Sequence, residues 1–465
     1  MKSNVFNLKS ILSLSLILMI MLSFASCSGE RSDTAFLDQI SEADAYSEEE
    51  VSVEESSEPA TEEGYTVRPI VKHIQNIEPY SVVIAGTCEE GSTVKVYNVA
   101  NKEETYETKS IDNYFIMEIK LSNTNEHYYE ISAVVEGKKE STVNHFTAQY
   151  NAVAEKPADG TAISIGNDST IFYDKLVSAY IGDNLLTNTE LKALKDRIQT
   201  NTEKDAIKYV YVMIPGMLSV YDEKVPEGIS KDSYNTKFTQ LINAISETAN
   251  ADVIDLTETF IANKSAEYPL YYNTSSNLSD FGSYVTYKAI IDYISKDFNA
   301  VTAVEKEFEK VSGKGGNLIS SLGLDKTIFV EDYFYAKNSD TAIPEGAEIT
   351  CPTKDIVIYA DKETNELYSD TADEAVVGAG EALSFKTNRV ELPSAVIIRD
   401  NSANAIVPML AENFNNSYFE AAGSMSMTNS VITNAITSYA TENNAYVDYV
   451  FVIVSEDNID SIIAQ

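Results

Sequence analysis

From residue 158 onward, short apolar runs alternate with segments of helical period, and this alternation constrains the fold more than any other feature. Tyr209-Val210-Tyr211-Val212-Met213-Ile214-Pro215, Ser394-Ala395-Val396-Ile397-Ile398 and residues 446–454 are apolar runs of strand length, and Asp252-Val253-Ile254-Asp255-Leu256 is a further strand. A strand with one wet face alternates polar and apolar residues, whereas one covered on both faces does not. Between these runs, residues 187–199 place Leu191, Leu194 and Ile198 at helical spacing behind Thr187 or Thr189 as cap. Further helices are expected near 231–249, from Asp280 to about Phe298, and over 403–414. The pattern predicts an α/β domain over 158–465: a doubly wound parallel sheet with helices on both faces. Residues 326–392 read as a strand-rich insertion, with turns at Asp361-Lys362 and Gly378-Ala379-Gly380.

Residues 65–152 have a different texture. Ser81-Val82-Val83-Ile84-Ala85, Thr93-Val94-Lys95-Val96-Tyr97 and Tyr129-Glu130-Ile131-Ser132-Ala133-Val134-Val135 are strand-like, with turns at Glu90-Gly91, Asn101-Lys102 and Glu136-Gly137. Short strands at this spacing predict an antiparallel β-sandwich. The run from Gly86 to Tyr97 resembles the G-x-x-x-x-G-x-x-V-x-V hairpin of bacterial immunoglobulin-like surface domains, which implies a spacer or binding module.

The N-terminus carries export signals. Lys2 and Lys9 precede an apolar stretch over 11–24, too short for a comfortable membrane span, and then Ala25-Ser26-Cys27. Residues 1–27 resemble a bacterial lipoprotein signal, with Phe24 where leucine is usual. The resemblance implies cleavage before Cys27, lipid on that residue and a lipid anchor on the outer side of the membrane; an ordinary secretory signal is the alternative. Residues 28–64 are rich in acids, with Arg31 the only base, and should form an extended disordered linker.

The formal net charge of −38 argues against nucleic acid as a partner and against docking on anionic lipid. Cys27, Cys88 and Cys351 show no metal-ligand or redox spacing, and no metal or cofactor is expected. Asp361-Lys362-Glu363-Thr364-Asn365-Glu366 has oxygens enough for calcium but lacks the spacing and glycine of a calcium loop, so it reads as a hairpin turn.

Three segments resemble the SGNH-like DHHW proteins related to alginate O-acetyltransferases. Ile165-Gly166-Asn167-Asp168 with Ile171-Phe172-Tyr173 is similar to the opening G-x-D-G-x-L-F-Y, and Ile214-Pro215, Tyr221 and Val225-Pro226 fit the stretch after it. Residues 271–284, YYNTSSNLSDFGSY, are similar to Y-x-x-T-D-x-H-W-x-x-x-G-A-Y. Residues 399–410, RDNSANAIVPML, are similar to R-D-S-F-G-x-A-L-x-P-x-L. The resemblance implies acyl transfer by a Ser-His-Asp triad in a cleft near Tyr272, Thr274, Asp400 and Asn404. The scaffold letters Tyr272, Thr274, Gly282, Asp400 and Pro408 remain. The chemistry does not. The family's Asp falls on Ser275, its His on Asn277, its Trp on Leu278 and its nucleophilic Ser on Asn401.

All three histidines, His73, His127 and His145, precede residue 150, so no histidine in the domain could activate a serine. Ser402 is the fallback nucleophile, one residue past the family's position, and reads first as a cap or turn residue. Lys288 could serve it as base, although a helical lysine is usually a solvated one. Triad residues act as a unit, so the expectation is a silent relative that binds or scaffolds in polysaccharide modification, with a glycan or a polysaccharide-modifying enzyme as partner. Two rivals stand beside it. One is an active acetyl esterase or O-acetyltransferase with unorthodox residues. The other is a purely structural or adhesion protein whose β domain does the binding.

Overall fold

The computed structural model describes residues 64–149, 162–202, 207–231, 234–338, 382–422 and 427–463, apart from 79, 227 and 388. It also describes strand backbone at 348–351, 356–360 and 367–369. The signal segment, Cys27, most of the acidic linker, the 361–366 turn and Gly378-Ala379-Gly380 lie outside the described residues.

Seven strands form two antiparallel sheets at the N-terminal end. β1 (Ile70–Glu78), β2 (Ser81–Thr87) and β5 (Tyr114–Lys120) make one. β4 (Thr105–Lys109), β3 (Ser92–Asn98), β6 (Glu126–Val135) and β7 (Asn144–Gln149) make the other. Val82, Ile84, Val94, Val96, Phe115, Met117, Tyr129 and Ile131 fill the space between them. β3 alternates buried and half-buried residues, as a one-sided strand should, but β2 is buried through Gly86. The reason lies outside the sandwich. Val83, Ala85, Tyr114 and Ile116 on the outer face pack against Ile171, Leu318, Ile319 and Phe329 of the α/β part. Tyr114 and Phe329 meet edge to face at 4.8 Å.

β8 (Ile163–Ile165) and β9 (Ile171–Tyr173) form a small hairpin leading into α1 (Asp174–Ile181). Its turn is locked into the sandwich. The Ser169 hydroxyl donates to Lys109 O at 2.7 Å and accepts from Ile116 N at 3.1 Å. The opening motif of the family-like region is therefore also a junction between the two parts of the molecule.

The main sheet runs β11 (Ala251–Asp255), β10 (Lys208–Ile214), β20 (Tyr449–Ser455), β18 (Ala395–Arg399), β19 (Asn416–Ala421), β17 (Leu383–Lys386), β14 (Glu348–Cys351), β15 (Ile356–Ala360), β16 (Leu367–Ser369). The contiguous strands from β11 to β19 are parallel. β17 joins β19 antiparallel, and β14, β15 and β16 continue in antiparallel pairs. The five strands from β11 to β19 form the parallel sheet that the alternation suggested, and the antiparallel edge from β17 onward makes the whole sheet mixed. Part of the 326–392 region extends the sheet edge. Another part, β13 (Val330–Asn338), pairs with β12 (Lys306–Lys314) in a separate ribbon.

Alternate residues of the central strands supply two cores. Val210, Val212, Ile397 and Ile453 face α4 (Asp280–Ile294) and α5 (Ile406–Ala411). Tyr211, Met213, Val396 and Val452 face α2 (Asn188–Thr202), α3 (Lys237–Ser246) and α6 (Asn429–Asn443). Coverage on both faces explains the unbroken apolar runs. Thr187 and Glu190 form the cap of α2, with Glu190 N donating to Thr187 Oγ1 at 3.3 Å and Thr187 N to Glu190 Oε2 at 2.8 Å. α3 is shorter than the expected 231–249. No helix among the described residues is long and apolar enough to cross a membrane.

Candidate functional site

The carboxyl ends of β10, β18 and β20 lie side by side, with Ile214 paired to Ser455 and Arg399 to Ile453. Ligands of open α/β sheets bind outside such ends. A cleft opens there, lined by Ile214, Pro215, Met217, Ser402, Ser455 and Asp457 from the strand ends. Phe172, Tyr173 and Leu176 line it from the β9–α1 region, and Tyr271, Ser275, Ser276 and Leu278 from the motif loop. It encloses about 20 Å³, near the space of a single water, and with its open mouth reaches about 390 Å³.

Asp400 is the tie beneath this cleft. Its side chain is fully buried. One carboxylate oxygen accepts from Ser402 N at 2.9 Å and from the Ser402 hydroxyl. The other accepts from Ser455 N at 2.7 Å and Ser455 Oγ at 2.8 Å. Asp400 is the cap of the turn Asn401–Ala403. Of the two structural roles expected for Ser402, cap or turn residue, it takes the second: it stands inside the turn and spends its hydroxyl proton on the cap. Asn401, at the nucleophile position, does not line the cleft, and its buried Oδ1 has no hydrogen-bond partner.

The motif loop 271–279 is held from three sides. Leu278 N donates to Ser402 O at 3.3 Å, which brings the second and third family-like segments together. Glu331 of β13 accepts from Asn273 N at 2.5 Å and from the Thr274 hydroxyl, which in turn accepts from Gly316 N at 2.7 Å. Only glycine fits at 316, since a Cβ there would stand 2.5 Å from Thr274 O. Lys224 Nζ pairs with Asp168 and donates to Thr170 Oγ1 at 2.8 Å and Asn273 Oδ1 at 3.3 Å, joining the first segment to the second. At the loop's end, Ser279 caps α4 through Gly282 N at 2.9 Å. A Cβ on Gly282 would meet Leu270 O at 2.2 Å, which accounts for the glycine of the motif.

Of the residues singled out from sequence, Ser275 and Ser402 line the cleft. Thr274 is a buried strut, Tyr272 packs on Tyr333 at 4.7 Å, and Asn404 accepts from Arg399 Nη1. Asn277 donates its backbone N–H to Ser275 Oγ at 3.2 Å but does not line the cleft. Lys288 does not line it either; its ammonium lies 5.5 Å over the Tyr284 ring, so the Ser-Lys arrangement is not built. His127 and His145 sit on β6 and β7 and His73 on β1, all in the sandwich. Cys88 is a buried free thiol whose pKa burial pushes up to about 11. Among the described residues no group of three or more His, Cys, Asp or Glu could hold a metal ion.

Three acids that the sequence analysis did not single out matter here. Glu331 and Glu456 are buried, and burial raises the pKa of each carboxyl above its ordinary value. Gly216 N, donating to Glu456 Oε2 at 2.7 Å, works in the opposite sense. Asp457 lines the cleft, and burial pushes it up to about 7; Lys175 opposes the shift, while Asp400 and Glu456 add to it. The pair of acids Glu456-Asp457 just past a buried parallel strand is the one signal that could have pointed to Asp457. Nothing comparable marks Glu331.

Residues 163–342 match the family model described as SGNH hydrolase-like domain, acetyltransferase AlgX. Among solved structures, Bacillus cereus PatB1 with a sulfonyl adduct is 16% identical at a TM-score of 0.44, covering 65% of this chain and 98% of that one. A DHHW family protein from Eubacterium siraeum is 15% identical at 0.40, covering 72% and 92%. The O-acetyltransferase domain of Pseudomonas putida AlgJ is 11% identical at 0.40, covering 66% and 93%. No curated protein matches the chain in sequence. The matched residues carry an SGNH-like domain, as the two motifs that fall within them imply.

The raised acids fix the sign of a pH effect. A carboxyl whose pKa is higher folded than unfolded binds its proton more tightly in the native state. Its stabilising contribution is complete below the ordinary value near 4 and is lost as pH rises toward 7. Asp457→Asn removes one such loss, so urea unfolding should show the variant more stable than wild type at pH ~8, by up to about 4 kcal/mol at about 1.4 kcal/mol for each pH unit between the folded and unfolded pKa. The two should be indistinguishable at pH ~4. Parallel curves across that range would refute the assignment.

Proposed function

We propose that this chain is a surface-anchored lipoprotein whose SGNH-like domain binds or scaffolds in cell-envelope or extracellular polysaccharide modification without performing acyl transfer itself. One observation carries the reading: the cleft's framework is assembled, yet the nucleophile position is Asn401, and the neighbouring Ser402 commits its hydroxyl proton to Asp400. An amide is no nucleophile. A hydroxyl held in a structural hydrogen bond, in a domain without histidine, lacks the activation that serine catalysis needs.

The domain assignment belongs to the same reading: residues 1–27 as lipoprotein signal, 28–64 as linker, 65–152 as an Ig-like sandwich and 158–465 as the SGNH-like domain. The match to an acetyltransferase family model supports a role near glycan O-acetylation. The burial of β2 against the α/β part supports a sandwich that positions the domain and does more than act as a loose spacer.

Two experiments bear on this. A fluorophosphonate serine probe should leave the intact mass of the folded protein unchanged. Stoichiometric labelling that disappears in Ser402→Ala would instead make Ser402 a working nucleophile and favour an active esterase. For the anchor, cells fed an alkyne fatty acid should yield labelled wild type and unlabelled Cys27→Ala. Equal labelling of both, or none of either, would remove lipidation at Cys27 from the account.

A further inference from the structure

The polar groups of the cleft are sorted by wall. On the loop side, Ser275 Oγ accepts from Asn277 N at 3.2 Å and Ser276 Oγ from Asn317 Nδ2 at 3.0 Å. Both hydroxyl protons remain to be donated. On the strand side, the Ser402 and Ser455 hydroxyls give their protons to Asp400, so those oxygens can only accept. Asp457 stands on this accepting wall. A group entering between the walls must accept from one and donate to the other, which a hydroxyl does and a carbonyl or an ammonium does not. Tyr173, Tyr271 and Phe172 give the cleft aromatic surface. Such surface suits the C–H faces of a ring. The enclosed space of about 20 Å³ admits one hydroxyl, with the ring in the open mouth.

Charge narrows the class further. Asp457, Glu456 and Asp400 cluster at the strand ends; among the charges acting on Asp457, Lys175 from α1 is the opposing one. Of the two tyrosines that line the cleft, Tyr173 and Tyr271, the latter is held protonated by burial, with its hydroxyl donating to Pro215 O at 2.6 Å. The formal charge of the whole chain, −38, has the same sign as the cluster. A ligand carboxylate would meet repulsion at short range and at long range.

We infer that the cleft takes a neutral hydroxylated ring, a sugar unit without a carboxylate, and that Asp457 accepts the hydroxyl that enters. This rests on the glycan-binding reading above and sharpens it: neutral sugars are favoured over uronates. A carboxylate accepts from a hydroxyl more strongly than its protonated form does. With Asp457 titrating at about 7, affinity should therefore rise with pH through neutrality.

Mannotriose and trimannuronate form a matched pair of probes, alike in ring and different in the carboxylate. Saturation-transfer NMR with the full chain should show mannotriose bound at pH ~8 and trimannuronate at least about tenfold weaker. Mannotriose affinity should fall about tenfold by pH ~6, as expected for one group titrating near 7. Asp457→Asn should weaken binding and abolish the pH dependence, and a urea midpoint would verify that the variant is folded. Equal or tighter binding of trimannuronate, or mannotriose binding unaffected by the variant, overturns this inference and leaves glycan binding standing. If neither saccharide binds at either pH, the inference fails together with the reading beneath it.

Discussion

Asp400 is the interaction on which the site depends. A fully buried carboxylate is tolerated only where donors replace its lost hydration, and Asp400 has four: the backbone and hydroxyl groups of Ser402 and Ser455. Those donors come from the ends of two adjacent parallel strands. Their spacing, and hence the cleft floor, is set by a charge that cannot be left unpaired. The same bonds take the hydroxyl protons of both serines. In this chain the strand-end turn at Asn401–Ala403 is a structural clasp.

A second buried acid, Glu331, does for the motif loop what Asp400 does for the strand ends. It holds Asn273 and Thr274, while Lys224 ties Asp168, Thr170 and Asn273 together and Ser169 plugs the same region into the β-sandwich. The loop facing the cleft is thus braced through the outer face of β2 and β5. The double burial of β2 follows from this: a sandwich strand with one free face would leave Val83 and Ala85 in water. Framework and catalysis are separable in such an arrangement. Thr274, Gly282 and Asp400 hold the framework, and on the proposed reading Ser275, Asn277 and Asn401 carry no proton-transfer chemistry.

What was legible in the sequence was what depends on local pattern. The runs at 209–215 and 394–398 announced buried parallel strands because both faces of the sheet are covered. β19 and α6 were less visible. β19 carries Asn416, Ser417 and Glu420, and α6 is built largely of Thr, Ser and Asn, with Ile432, Ala435 and Tyr439 as its buried residues. Such sequences have weak intrinsic helix or strand preference and are held by tertiary packing. The antiparallel edge beyond β19 was read as an insertion because strand partners far apart in sequence leave no local trace. At the site, the resemblance brought three segments together, but Glu331, Lys224 and Asp457 act singly and gain meaning only from neighbours distant in sequence. Ser402 was legible as a cap or turn residue but not which, because Asp400 suits the cap equally and occupies it.

On the proposed reading an SGNH-like framework persists here while acyl-transfer chemistry is gone. The most direct test restores the missing letters in place, as the triple variant Ser275→Asp, Asn277→His, Asn401→Ser, and measures 4-nitrophenyl acetate turnover beside wild type. Wild type should show no protein-dependent turnover, and the folded triple variant a clear gain. Turnover by wild type that Ser402→Ala removes would contradict the lost chemistry. A folded triple variant with no gain would contradict the retained framework.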